Sequence, residues 1–409
     1  MTRVLIWATH LQTDILALAL HLDRCRDIAL MVVTPDRDIY LHEPCALARR
    51  FAAPLLDRNH PATAGLARDF AADVVVADNH VPPKGMAPRL FYMWHGMGWK
   101  ARSALDLKVF YHQVRQLTGH DPRDPNPCFR AQCYGPTDRA WRVRNWGLPA
   151  SACVPIGMCF ADLLLDPPYA REDLAGHYRI DVARRKTVLL AITWHYGGIF
   201  AQKPGLGRML RSLIGRSAAQ CEDIVFLDRI IARVGSSGAN LLICLHDRHR
   251  YDPAFLTMVE QRARAHDFIE IRFKNEHPDN MADLLVADVM ISNLSSFLAY
   301  HYLLRRPALH ILPADPDSAR IERQMMLFSR IRLRRGLARG AAWMLDPHDT
   351  GGPIVRTPDE AMRALDAALD DPQSGREPTG RWLEKHIPML DGKACERFRQ
   401  AIVEFCAAG

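Results

Sequence analysis

The regular alternation of short apolar runs with segments of helical length constrains the fold of this chain most strongly. In the first part, the runs that read as strands are 3–8, 28–33, 73–77, 90–94, 132–135 and 153–157. After a polar stretch at 166–186 the pattern restarts, and the later runs are 187–193, 240–245, 268–273, 288–292 and 308–312. Continuous apolar strands separated by helices indicate parallel sheets that are covered on both faces.

The length of 409 residues fits two or three domains of about 150 residues each. Because the pattern restarts after the polar stretch, we predict an α/β chain of two Rossmann-like domains, 1–176 and 177–409. Two doubly wound halves would face each other across a cleft lined by the carboxyl ends of their strands. Thr13 and Asp14 are expected to cap a first helix that runs through Leu22, and the last helix, 392–407, could pack on either half.

Composition sets the broad class of the protein. The charges, 53 basic and 46 acidic residues, give a net +7, and only 8 of the basic residues are lysines. Most of the arginines fit a composition bias, and the mild positive balance permits phosphorylated substrates, anionic lipid or nucleic acid without selecting among them. Ten cysteines without a CxxC pair fit free thiols in a reducing cytosol. With no secretory signal and no apolar span of about 20 residues, the sequence predicts a cytoplasmic protein.

Residues 319–340 interleave seven arginines with apolar side chains. Such a basic amphipathic segment can lie on an anionic membrane surface. An ordinary surface helix with its apolar stripe against the core is the favoured alternative for this segment.

The first motif with chemical content is Trp94-His95-Gly96, which follows an apolar strand and continues to Lys100. A histidine at a strand end suits general base catalysis, because its ordinary pKa lies near neutrality. Glycine at position 96 lets the backbone approach a ligand closely. The structural alternative is a hydrogen-bonded histidine with no catalytic role.

The second motif, His246 to Arg250, holds two histidines and two arginines after a buried strand. These donors suit a phosphate or diphosphate. A metal site is less favoured, since zinc needs three or four well-placed ligands and no third is evident. A solvated basic loop remains an alternative for His249 and Arg250.

The third motif is Asn293-Leu294-Ser295-Ser296, which precedes a helical segment. A helix N-terminus offers free N–H groups and the positive end of the helix dipole to a phosphate. The alternative is that these side chains only cap the helix.

Taken in order, these segments resemble the CDP-glycerol glycerophosphotransferase family, the teichoic acid primases and polymerases with a GT-B-like fold. His195 stands where the family has arginine, and Asn293 where it has aspartate. The matching segments are Trp94-His95-Gly96, Gly157 to Asp162, Ile192-Thr193-Trp194, His246-Asp247-Arg248, Asn293 to Ser296, and Leu303 to Pro307.

The resemblance implies an enzyme that transfers glycerol phosphate from CDP-glycerol to a hydroxyl of a polymer or lipid-linked acceptor and releases CMP. It assigns the acceptor to the first half and the nucleotide donor to the second. In this interpretation His95 is the base and His246 stabilises the leaving CMP, with no cofactor and no obligatory metal. The expected donor-site residues are Arg248, Asn293, Ser295, Ser296, Thr193 and Gly157, and those on the acceptor side are Gly96 and Lys100.

Three alternatives remain open at this stage. The first is a GT-B glycosyltransferase that uses a nucleotide sugar in capsule or lipopolysaccharide synthesis. The second is a non-catalytic protein that binds nucleic acid or another polyanion, although no such motif is present and nucleic acid is not an expected partner. The third is a family member that binds a polymer without turnover. Peripheral contact with the inner face of the cell membrane would involve 319–340.

Overall fold

The structure is a computed structural model that describes residues 1–42, 46–94, 96–99, 101–102, 104–192, 217–251, 253–278, 280–312 and 343–408. In these residues two separate parallel sheets carry helices on both faces. No helix in the described ranges is long and apolar enough to cross a membrane.

The first sheet has seven parallel strands in the order β3-β2-β1-β4-β5-β6-β7. Its strands are β1 Thr2–Trp7, β2 Ile28–Thr34, β3 Leu55–Asp57, β4 Val74–Asp78, β5 Leu90–Met93, β6 Phe129–Cys133 and β7 Cys153–Pro155. Its helices are α1 Thr13–Leu22, α2 Ile39–His42, α3 Thr63–Asp69, α4 Ala104–Thr118, α5 Pro136–Trp146 and α6 Cys159–Leu165. The order in which strands are added to the sheet changes direction between the parallel neighbours β1 and β4, which creates a crevice at the carboxyl ends of these two strands.

The second sheet repeats this winding with six strands in the order β10-β9-β8-β11-β12-β13. Its strands are β8 Thr187–Ala191, β9 Asn240–Leu245, β10 Ile269–Phe273, β11 Val289–Ser292, β12 Ala308–Ile311 and β13 Ile354–Val355. The later helices are α7 Ser217–Ser236, α8 Pro253–Ala265, α9 Asn280–Val286, α10 Ser296–Leu303, α11 Pro358–Asp370, α12 Arg376–His386 and α13 Ala394–Ala407.

The second sheet buries different apolar side chains on its two faces. Leu189, Leu242 and Met290 join a continuous cluster that also fills the first half. Val188 and Leu241 belong to a separate cluster on the other face. Successive residues of a strand point to opposite faces, so a run that is apolar at every position serves both clusters.

The prediction of two Rossmann-like doubly wound halves is confirmed. The sequence reading did not identify β3 and β13, which are only 3 and 2 residues long and lie at sheet edges. The first sheet ends at Pro155 and the second begins at Thr187, and we keep the boundary near residue 177 as a proposal.

The last helix packs on the first half of the chain. Phe398 of α13 lies against Phe91 of β5, with 4.4 Å between ring centroids, and His21 of α1 bonds Glu396. The carboxylate of Asp162, in α6, accepts from the backbone N–H groups of Ala394 and Cys395 at 3.1 and 2.7 Å. The chain therefore returns from the second sheet to the first before it ends.

Candidate functional site

Two of the predicted motifs meet where the halves face each other. Gly96, at φ +129°, lies so close to α10 that a Cβ there would be 2.9 Å from the Cβ of Ser296 and 2.9 Å from the hydroxyl of Tyr300. Gly98 also lies against Ser296, because its Cβ would be 3.5 Å from the Ser296 backbone nitrogen. Only glycine combines this backbone conformation with this closeness. The turn after β5 thus rests directly on the start of α10.

A buried carboxylate ties this contact together. Asp14 is 1% exposed and accepts hydrogen bonds from the Tyr300 hydroxyl at 2.8 Å and the Phe160 backbone N–H at 2.9 Å. The Tyr134 hydroxyl lies 3.1 Å from the same carboxylate and 3.0 Å from the carbonyl oxygen of Trp94. Asp14 belongs to the first half and Tyr300 to the second, so the carboxylate joins the halves directly beneath the residue that precedes His95.

The predicted cap at the start of α1 is wrong. Gln12 is the N-cap residue and makes no side-chain cap bond. The Asp14 carboxylate is bonded to Tyr300 and Phe160. Thr13 has φ 48°, which is strained for a non-glycine residue. Such strain is tolerated where the surroundings fix the chain firmly.

The protonation state of Asp14 affects the hydrogen bond that Tyr134 makes to the turn after β5. Tyr134 has one hydroxyl proton and two acceptors within reach, the Asp14 carboxylate and the Trp94 carbonyl. Burial raises the pKa of Asp14 to about 6, and the hydrogen bonds from Phe160 and Tyr300 oppose the shift. When Asp14 is protonated it can donate to Tyr134, which then donates to Trp94.

Trp99 anchors the same turn in the second half. Its side chain is fully buried and lies 4.9 Å from His310 and 5.6 Å from Trp382, measured between ring centroids. Its indole N–H donates to the carbonyl of Asp349 at 2.9 Å, and its own carbonyl accepts from Met344 at 2.8 Å. Burial of a tryptophan contributes roughly 2–3 kcal/mol and fixes the distance between the halves.

His246 directly follows β9, as the sequence indicated. The backbone N–H of Asp247 donates to its Nδ1 at 2.8 Å, and the Asp247 carboxylate lies 3.0 Å from the same nitrogen. Asp247 is buried. Because Nδ1 accepts the Asp247 N–H, the ring carries its proton on Nε2, where it can donate to an anion.

Arg248 is engaged with carboxylates of its own half. Its guanidinium bonds Glu276 at 2.6 and 3.2 Å and also bonds Glu260, and these partners hold the pKa of Arg248 above its ordinary value. It also lies 3.9 Å from the ring centroid of Phe273. A diphosphate would have to compete with two carboxylates for this side chain.

The serine motif divides into two roles. Asn293 is buried, and Leu294 has φ 46° at the turn between β11 and α10. Ser295 is the N-cap residue and accepts from the Phe297 N–H at 3.3 Å, as in the capping alternative. The Ser296 hydroxyl makes no hydrogen bond with the described residues and faces the glycine turn.

Gly157 lies in a different environment. At φ +95° its Cβ would be 3.0 Å from the Arg397 guanidinium and 3.2 Å from the Met389 carbonyl. Its carbonyl accepts from the Gln132 amide at 2.8 Å. In the described residues Gly157 is therefore a point of close approach to the C-terminal segment.

Several predicted residues lie outside the described part of the chain. These are His95, Lys100, Thr193, His195 and the whole segment 319–340. Gly96 and Trp94 flank His95 and fix where the chain enters and leaves that position.

Two functional candidates at the end of β4 were not predicted from the sequence. Asp78 is buried and its carboxylate accepts from the Thr9 N–H at 2.6 Å, while His80 follows two residues later. A detectable signal was present, since the Asp78-Asn79-His80 segment ends one strand just as Trp94-His95-Gly96 ends the next.

The stability of the protein should depend on the protonation of Asp78. Burial raises its pKa from 3.8 to about 6, so this carboxyl favours folding below pH 3.8 and loses that contribution as the pH rises through 6. In Asp78→Asn the amide oxygen still accepts from Thr9. We expect the free energy of unfolding of the variant, relative to wild type, to rise by about 2 kcal/mol between pH 4 and pH 7.

Urea unfolding at pH 4, 5.5 and 7, followed by circular dichroism, measures this difference. A difference between variant and wild type that stays constant across these pH values would contradict the assignment.

Many arginines of the described ranges serve internal ion pairs. Arg142 pairs with Asp138 and Arg272 with Asp283, both fully buried, and Arg171 pairs with Asp288. These contacts give a structural use for arginines that the composition alone left unassigned. Within the described residues no group of three or more His, Cys, Asp or Glu side chains is arranged to hold a metal ion.

No protein-family model matches the sequence, and no curated relative matches it. The wall teichoic acid polymerase TagF, as a His-to-Asn variant soaked with CDPG, superposes with a TM-score of 0.66 at 12% identity, over 100% of this chain and 89% of that chain. Another TagF variant gives 0.63 at 14% identity, over 100% and 90%. The MnaA-UDP co-structure from S. aureus gives 0.55 at 13% identity, over 99% and 97%. At these identities the likeness establishes the fold, which is GT-B-like.

Proposed function

We propose that this protein is a GT-B transferase that moves glycerol phosphate, or a related alcohol phosphate, from a CDP-activated donor to a hydroxyl of a cell-surface polymer or lipid-linked acceptor, with release of CMP. The observation that carries the proposal is the contact of Gly96 and Gly98 with Ser296. Through it the turn that holds the candidate base lies against the helix start that suits a phosphate. The fold shared with TagF, whose structure was soaked with CDPG, agrees with this assignment.

In this mechanism His95 removes the proton of the acceptor hydroxyl. The hydroxyl oxygen forms a bond to the phosphorus of the glycerol phosphate group, and the bond from that phosphorus to the bridging oxygen breaks. The bridging oxygen leaves with CMP, and the proton stays on His95 until solvent takes it. Such transfers depend mainly on positioning and on stabilising charge.

Three groups of the second half would stabilise the donor diphosphate. His246, held by Asp247, donates from Nε2 to the departing CMP. The Ser296 hydroxyl and the N–H groups at the start of α10 bind the same diphosphate, and the helix dipole favours its charge. Arg248 contributes at the rim of the site if the diphosphate displaces Glu260 or Glu276. Lys100 and Thr193 remain proposed contributors on the acceptor and donor sides.

A nucleotide-sugar glycosyltransferase is the second candidate. The UDP complex of MnaA, which shares the fold, favours keeping it. The proposal includes a cytoplasmic location, with peripheral membrane contact through 319–340.

Thermal unfolding with added nucleotides tests the donor. A ligand that binds only the folded state at 100 times its Kd stabilises it by about 2.7 kcal/mol. We expect CDP-glycerol to raise the midpoint more than UDP-sugars or CMP-linked sugars, and CMP to appear when an acceptor polymer is added. A larger shift with a UDP-sugar would select the second candidate. Salt-sensitive binding of DNA with no nucleotide shift would overturn both.

A further inference from the structure

A second polar cluster lies at the carboxyl ends of the first sheet, beside the turn that holds the candidate base. Thr9 follows β1, Arg58 follows β3, and His80 follows β4. Asp78, at the end of β4, also lies within electrostatic range of Lys274, which follows β10 of the second half. The cluster therefore faces the cleft between the halves.

The hydrogen bonds of Thr9 fix the tautomer of His80. The Thr9 hydroxyl donates its single proton to the Asp78 carbonyl at 2.5 Å. Toward His80 the same oxygen can therefore only accept, and it does so from the backbone N–H at 3.2 Å and from Nδ1 at 3.1 Å. Nδ1 carries the proton, so the neutral ring has its lone pair on Nε2.

The ring of His80 is neutral and accessible. Desolvation of its protein-facing side, together with the charges of Arg58 and Arg102, lowers the pKa of His80. The residue is nevertheless exposed, and no described residue bonds Nε2. Nε2 can accordingly accept a hydrogen bond from a ligand hydroxyl.

The two arginines near His80, Arg102 and Arg58, differ in their contacts with the rest of the protein. Arg102 donates through Nη2 to Asn79 and to the Tyr92 hydroxyl, at 2.6 to 2.8 Å, and its guanidinium lies over the rings of Trp94 and Phe110, at 4.9 and 5.4 Å. Arg58 donates only to the Ala8 carbonyl, at 3.3 Å, and within the described ranges no carboxylate pairs with it. Its remaining N–H groups suit a phosphate, which guanidinium binds in a fork.

We propose that Thr9, Arg58 and His80 form the acceptor subsite, which takes a polyol phosphate, with a hydroxyl on His80 Nε2 and the adjacent phosphate on Arg58. This inference rests on the proposed function, because it supplies the hydroxyl-bearing substrate of that reaction. It assigns to the acceptor a terminal unit of the same chemistry as the group transferred.

Calorimetric titration of the full chain with sn-glycerol 3-phosphate tests the subsite. His80→Asn keeps an amide N–H for Thr9 but removes the acceptor at Nε2, and Arg58→Gln removes the charge. Each should weaken binding about tenfold or more, since hydrogen bonds to charged groups contribute about 1.5–3 kcal/mol. His80→Gln, whose amide oxygen reaches the Nε2 position, should recover most of the loss.

A second ligand and two control variants separate the contribution of Arg58 from that of His80. Inorganic phosphate should respond to Arg58→Gln and not to His80→Asn, because it lacks the carbon-bound hydroxyl. His60→Asn and Arg50→Gln, at exposed positions of the same half, should leave all titrations unchanged. Circular dichroism confirms that each variant is folded.

The thermal shift with CDP-glycerol distinguishes this inference from the proposed function. It should persist in His80→Asn and Arg58→Gln, since these residues contact the acceptor. The subsite proposal is overturned if glycerol 3-phosphate does not bind the wild type, or if both variants bind it as tightly as the wild type does. Loss of the CDP-glycerol shift in wild type, with the glycerol 3-phosphate results intact, overturns the CDP-donor assignment and leaves a polyol-phosphate site.

Discussion

Replacing His95 by alanine is expected to lower the rate of CMP release from CDP-glycerol by about 10²- to 10⁴-fold, the range supplied by a positioned general base. The acceptor hydroxyl then keeps its proton as its oxygen approaches phosphorus. Donor binding should remain, because His95 belongs to the half that carries the acceptor. The thermal shift with CDP-glycerol is therefore the internal control for a folded, donor-competent variant.

His246→Ala removes a different contribution and completes the test. It should lower the rate by about 10²- to 10³-fold, as expected when a donor to a developing charge is lost, and it should also weaken the CDP-glycerol shift. His120→Ala, at an exposed turn, is the matched control and should keep the wild-type rate. Near wild-type rates in both His95→Ala and His246→Ala would refute the assigned roles.

Asp14→Ala should lower the free energy of unfolding by about 3–5 kcal/mol. It leaves the Tyr300 hydroxyl and the Phe160 N–H buried without their acceptor and deprives Tyr134 of a partner. Each unsatisfied buried group costs about 1–3 kcal/mol. Burial raises the pKa of Asp14, so its charge is costly where it is, but this cost is smaller than that of the stranded Tyr300 hydroxyl and Phe160 N–H together.

Asp14→Asn separates hydrogen bonding from charge. Its amide oxygen can accept from Phe160, its NH2 group can donate to the tyrosine oxygens, and Tyr134 can donate to the Trp94 carbonyl. The Tyr300 proton loses its acceptor, and removal of the costly buried charge offsets this loss. Urea unfolding at pH 7 should therefore place it within about 1 kcal/mol of wild type. Asp69→Ala, at the exposed end of α3, is the control and should stay within about 0.5 kcal/mol. An alanine variant as stable as the control would contradict the proposed interdomain link.

The longer strands could be predicted from the sequence because each of them is apolar on both faces. Val188, Leu189 and Leu190 form an unbroken apolar run. Leu189 packs into the cluster on one face of the sheet, and Val188 and Leu190 pack into the cluster on the other face. The edge strand Leu55–Asp57 has only partly buried side chains and carries a weaker pattern. A short edge strand forms because it pairs with a neighbouring strand, and the local sequence does not specify that pairing.

The sequence predicted individual residues of the candidate site but not the contacts between them. Strand ends identified His246 and the Asn293–Ser296 turn, because the carboxyl ends of parallel strands share one edge. The same reasoning assigned Arg248 to a phosphate, and the family resemblance assigned Gly157 to the donor site. In the structure Arg248 bonds Glu260 and Glu276, and Gly157 lies against the C-terminal segment, contacts that the sequence did not predict.

The sequence by itself determined the two doubly wound halves and the strand ends that carry their polar groups, because apolar periodicity is a local property of the chain. The tertiary structure decided which groups meet. It brought Gly96 onto Ser296, placed Asp14 between tyrosines of different halves, and returned α13 to the first sheet. These contacts join residues up to 307 positions apart, as Phe91 and Phe398 are, and depend on how the halves dock, which no local pattern encodes.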